Sequence, residues 1–113
     1  MHIEKPGARL TVALAELYAY YAENEQMTAN LLRDATFSPS VAEATSIMRE
    51  GLLAMTALLS AGWSEDLDAS KRVEAGIGHA VSFETWRSLC RQQGLEASDA
   101  TALMLGMIRA IAR

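Results

Sequence analysis

At 113 residues the chain has the length of one domain, and half of its residues are hydrophobic, which sets it apart from the disordered class. Its ten Lys and Arg are scattered among fourteen acids for a net charge of −4, which argues against the clustered cationic face that nucleic-acid phosphates require. Cys90 is the single cysteine, so no disulfide closes within the chain, and neither a leader-like start nor an apolar run of bilayer length is present; a cytoplasmic protein is expected.

Punctuation residues divide the chain, treated as a single domain over 1–113, into five predicted helices. Residues 1–7 read as a loose lead-in, because Pro6-Gly7 breaks regular structure. Over residues 8–23, Leu10, Ala13, Leu14, Leu17, Tyr18 and Tyr21 recur at three- and four-residue steps, which predicts an amphipathic helix. Asn24 is placed to cap a second helix, with Glu25 in its first turn, apolar positions Met27, Leu31, Leu32 and Ala35, and Phe37 closing it.

Ser38-Pro39 then opens the third helix, with Ser38 as N-cap and Pro39 at the first position, where a missing N–H costs nothing. Over residues 39–61 one stripe is Val41, Thr45, Met48, Leu52, Met55 and Leu59, and a second is Ala44, Ile47, Gly51, Ala54 and Leu58. So wide an apolar surface predicts a central helix covered on more than one side. Gly62 should end it, with Trp63 folding back over the last turn.

The fourth helix is expected over 67–93, closed by Gly94 and the contact of Leu95. The fifth starts at Glu96 or Ser98 and carries Ala100, Leu103, Met104, Met107, Ile108 and Ile111 to the chain end. No β-alternation of useful length occurs. The expected fold is therefore all-α, a five-helix bundle.

On the fourth helix Val73, Gly76, Ile77 and Ala80 form one apolar cluster, while Phe83, Trp86, Leu89 and Cys90 form another, rotated around the axis. A helix that serves one core shows one stripe, so two faces imply two partners. On the fifth helix Ala102, Gly106 and Ala110 at four-residue steps would let a second backbone approach closely. Together these predict a homodimer in which the last two helices of each copy form a four-helix interface.

No catalytic constellation stands out. His79 has no acids at metal-ligand spacing, Cys90 lies too far along the helix to pair with it, and no serine sits in a nucleophile elbow. Neither enzyme activity, nor a cofactor, nor a metal is expected. Tyr18, Tyr21, Met48, Met55, His79, Phe83 and Trp86 could instead converge on a small-molecule pocket, although such side chains also build ordinary cores.

The run Arg9-Leu10 through Leu17-Tyr18-Ala19-Tyr20-Tyr21, followed by Met27-Thr28-Ala29-Asn30-Leu31-Leu32-Arg33-Asp34, resembles the C-terminal half of TetR-type transcription regulators. The stretch from Gly78-His79-Ala80 through Phe83-Glu84-Thr85-Trp86-Arg87-Ser88-Leu89, with Gln93-Gly94-Leu95 after it, resembles the helical hairpin near the end of that domain. The resemblance spans essentially the whole chain and rests on a helix pattern rather than an invariant motif.

It implies a regulatory domain that binds an effector among its middle helices and dimerises through its last two. Effector binding would change the separation of two DNA-reading heads and release the operator. Tyr18, Tyr21, Met48, Met55, His79, Phe83 and Trp86 become the implied pocket residues for a small, largely apolar effector. Gly76, Ala80, Ala102, Gly106 and Ala110 become the implied interface. No three-helix DNA-binding head precedes Arg9, so direct nucleic-acid contact is not expected from this chain, and a regulatory fragment and a free-standing domain both remain open. Two other classes stay in view: a stand-alone interaction module without ligand, and a small helical-bundle enzyme.

Overall fold

The computed structural model describes residues 5–113; the expected lead-in over residues 1–4 lies outside them. Among the described residues there are no strands, and the chain forms six α-helices, one more than expected. They are α1 (Pro6–Glu23), α2 (Glu25–Asp34), α3 (Pro39–Leu59), α4 (Leu67–Ala80), α5 (Phe83–Arg87, running on into a π-helical turn, Ser88–Gln92) and α6 (Ala97–Ile111). None is long and apolar enough to cross a membrane.

Pro6 does not end a loose segment; it opens α1. Lys5 holds the extended N-cap conformation, and Pro6 follows it at a helix position that needs no N–H. Asn24 makes no cap either. Its amide nitrogen donates back to the Tyr20 carbonyl at 3.0 Å, so it serves the end of α1 rather than the start of α2. Ser38 and Pro39 act as expected, with the Ser38 hydroxyl accepting from the Val41 N–H. Gly62 takes a left-handed φ of 81°, and the Trp63 indole donates to the Leu59 carbonyl at 2.8 Å, tying the last turn down.

The expected single helix over 67–93 is broken. The break falls at Val81-Ser82, where Ser82 is extended (φ −74°, ψ 145°) and starts α5 as N-cap, its hydroxyl accepting from the Thr85 N–H at 3.1 Å. Thr85 in turn donates to the His79 carbonyl at 2.6 Å. A helix end leaves carbonyls without partners, and two of these meet tyrosines from α1. Tyr18 donates to the Ala80 carbonyl at 2.6 Å and Tyr21 to the Val81 carbonyl at 2.5 Å. The turn redirects Phe83 and Trp86 into the same core that Val73, Ile77 and Ala80 enter. The two apolar faces therefore belong to two helices with one core, and they do not by themselves call for a second partner.

The core runs along α1, not α3. Leu10, Leu14, Tyr18 and Tyr21 are all buried, and α1 packs against α2, α3, α5 and α6. From α3 only Leu59 and the threonines Thr45 and Thr56 are buried, and both threonine hydroxyls return to carbonyls four residues back. The second stripe of α3 faces solvent, with Ile47 66% and Leu58 73% exposed. The central helix expected from its two stripes is thus an outer helix, because among the described residues no element covers that side.

Candidate functional site

The break that ends α4 also opens a groove. Between α3 and α4 lies a depression of about 540 Å³, floored by Leu52, Leu53, Thr56, Ala75 and Gly78 and bounded by Arg49, Lys71, Glu74, Val81 and Ser82. Beside it, where α3 faces α1, α2 and α5, is a recess of about 190 Å³ lined by Tyr21, Leu32, Thr45, Met48, Phe83 and Glu84. Arg49, Leu52 and Ser82 line both, so the two volumes lie side by side at those side chains.

Of the seven expected pocket residues, Tyr21, Met48 and Phe83 meet in the recess. Tyr18 does not: it is wholly buried, and its hydroxyl is committed to the Ala80 carbonyl. Trp86 is buried between the Phe83 ring, with centroids 5.6 Å apart, and the Arg91 guanidinium 4.8 Å away. Met55 packs half-buried against the core. His79 is exposed and lines neither of these volumes but a third hollow of about 220 Å³ with Thr85, Ser88, Leu89 and Met104, which borders the recess at Ser82 and Glu84. A single convergent set of seven is not what the fold assembles.

The physical reason lies in the break. A continuous helix would place His79, Phe83 and Trp86 at three- and four-residue steps on one face. The turn at Ser82 sends His79 outward and Trp86 inward, leaving Phe83 at the groove. Arg49, Leu52 and Ser82, which line both volumes, are not among the expected pocket residues. Nothing in the pattern singles out Arg49, but Ser82 followed by Glu84 in a first turn is a helix-start signal that could have marked the break.

The polar atoms of the recess are largely spoken for. The Tyr21 hydroxyl is bound to the Val81 carbonyl, and burial, followed by the neighbouring Tyr20, pushes its pKa up to about 12. Burial raises Tyr18 further in the same direction, with Cys90 and Tyr21 adding to it. Both phenols are neutral donors. Cys90, half-buried, has its thiol pushed up chiefly by burial, so it carries no thiolate character at neutral pH. Glu84 is paired with Arg87 at 3.1 Å, while Arg49 makes no hydrogen bond or ion pair among the described residues. Also among these residues, no three His, Cys, Asp or Glu side chains are grouped to hold a metal ion.

The expected interface residues divide. Gly76 faces inward onto α6, where a Cβ would stand 2.6 Å from Ile108 Cδ1 and 3.0 Å from Ile111 Cδ1. Ala80 is fully buried. Both serve contacts within the chain: Ala80 has no exposed surface, and Gly76 is part-buried against α6. Ala102, Gly106 and Ala110 are exposed on α6, beside the partly exposed Leu103 and Met107. Compared with known protein families, curated proteins and solved structures, the chain matches none.

Proposed function

We propose that this chain is the ligand-sensing and dimerisation domain of a TetR-like transcriptional repressor. In this reading the groove along α3 receives a small, largely apolar effector, and the outward face of α6 pairs with a second copy. The observation that supports it most is the pair of neighbouring cavities, in the smaller of which Tyr21, Met48 and Phe83 lie together among apolar walls. A ligand there would press on Ser82 and Phe83, at the break between α4 and α5. Because α4 packs on α6, a shift at the break would reach the dimer face. DNA contact belongs to a DNA-reading head and not to these helices.

A thermal-shift screen of small apolar amphiphiles tests the pocket, with Leu52→Trp as the filled-groove control. Stabilisation of the native chain that the control loses supports the reading; a core refractory to every compound removes it. Sedimentation of the purified chain at tens of micromolar tests the pairing, and a monomer there would contradict it.

A second reading is a stand-alone interaction module without ligand. The exposed stripe of α3 favours it: Ala44, Ile47, Gly51, Ala54 and Leu58 follow the alternating three- and four-residue spacing of a coiled-coil seam. It would show an unresponsive groove together with helix-mediated complexes lost on Ile47→Glu.

A further inference from the structure

The groove's lining also bears on the chemistry of what it takes, given the ligand-binding reading above. Its recess is walled by the side chains of Leu32, Met48, Leu52 and Phe83, and the three hydroxyls that line it are already engaged, Ser82 as acceptor for the Thr85 N–H. Tyr21 donates to the Val81 carbonyl and Thr45 to the Val41 carbonyl, which leaves the walls little with which to recognise a polar body. The recess holds roughly six times the volume that a water molecule fills in the liquid, the scale of a short alkyl chain or one ring.

The charges at the rim are unequal in their commitments. Glu84 is engaged by Arg87. Lys71 and Glu74, three residues apart on α4, stand at the far wall of the larger depression, away from the recess, and make no ion pair with each other. Arg49 alone stands where the two volumes meet, with no carboxylate or carbonyl partner among the described residues. A guanidinium bordering apolar surface presents a planar fork of donors matched to a carboxylate or phosphate. A neutral head would leave that fork as it is, and a cationic head would be repelled.

We infer that the groove takes an amphipathic anion, its apolar tail in the recess against Met48 and Phe83 and its anionic head on Arg49. The polar head then lies at the junction, open to solvent, while the tail leaves water.

Calorimetric titration of the whole chain with octanoate, 1-octanol and octyltrimethylammonium, each below its micelle concentration, tests this. Octanoate should bind about tenfold more tightly than 1-octanol, and the cation least, since a charge-assisted contact supplies the difference. Arg49→Gln, at an exposed position that leaves the core intact, should bring octanoate down to the 1-octanol level without changing 1-octanol itself. Equal binding of octanoate and 1-octanol, or octanoate binding unchanged by Arg49→Gln, overturns the anion while leaving the groove as a site for neutral ligands. Binding that survives in Leu52→Trp, or no binding by any of the three, overturns the groove as well.

Discussion

The hydroxyl of Tyr21 donates to the carbonyl of Val81 at 2.5 Å, and through that bond helix α1 holds the break on which the candidate site depends. Tyr18, one turn earlier, does the same for Ala80 at 2.6 Å. Neither carbonyl receives a backbone N–H in return, so the tyrosines supply the donors that a continuous helix would have supplied. Removing either hydroxyl leaves a buried acceptor unpaired. Tyr18→Phe and Tyr21→Phe should each cost about 1–3 kcal/mol in urea denaturation, with the phenyl ring still filling its space. A loss below a few tenths would mean the carbonyls find other partners.

The same bonds set an alkaline limit. Burial raises Tyr21 from 10.0 to about 12 and Tyr18 in the same direction, so the folded chain keeps phenolic protons that the unfolded chain releases. The unfolded state then binds fewer protons above pH 10, and stability must fall there. This contribution should be present in full below pH 10 and disappear as pH rises from 10 through about 12. Urea midpoints measured at pH 9, 10 and 11 check it, and the double Tyr18→Phe, Tyr21→Phe variant should show a shallower decline.

Two glycines should respond in opposite directions to alanine. At Gly76 the added methyl meets Ile108 at 2.6 Å and Ile111 at 3.0 Å, where Ile108 is itself buried. Overpacking of about 1–3 kcal/mol outweighs the helix-propensity gain of roughly 0.5–1, so Gly76→Ala should destabilise. At Gly106 nothing lies within 4 Å, and Gly106→Ala should stabilise the single chain by about 0.5–1 kcal/mol. If α6 pairs with a second copy, that stabilised variant should nonetheless dimerise more weakly, because its methyl sits where two helices approach. Gly51→Ala, equally unobstructed on α3, should stabilise without touching self-association.

The two exposed apolar faces separate the two functional readings. Met107→Lys should dissociate the dimer if α6 forms it, and Ile47→Glu should leave the dimer intact. Sedimentation velocity on both variants gives the answer. The reverse pattern would move the interface to α3.

Much of this was legible in the chain. Ser38-Pro39, Gly62-Trp63 and Gly94-Leu95 mark helix ends by local chemistry, and each does so in the structure, with the Leu95 N–H reaching the Leu89 carbonyl at 2.9 Å. The break at Ser82 carries a local cap signal in Ser82 and Glu84, but part of what holds it is distant. Two hydroxyls about sixty residues earlier stabilise it, and the periodicity of Val73, Ile77 and Ala80 into Phe83 and Trp86 reads as one helix with two faces. The groove followed the same limit: Met48 and Phe83 were legible as apolar side chains near one another, whereas Arg49 gains its meaning only from the apolar neighbours the fold gives it.

Methionine-methyl NMR during titration with 1-anilinonaphthalene-8-sulfonate, an apolar anion, tests the central claim that the α3 groove is a ligand site. The methionines report from separate places: Met48 in the recess, Met104 in the core, Met107 on the outer face of α6. Met48 should shift first and saturate, with Met104 and Met107 nearly still, and Arg49→Gln should weaken the effect. A shift confined to Met107, or equal drift of all the methyls, would contradict it.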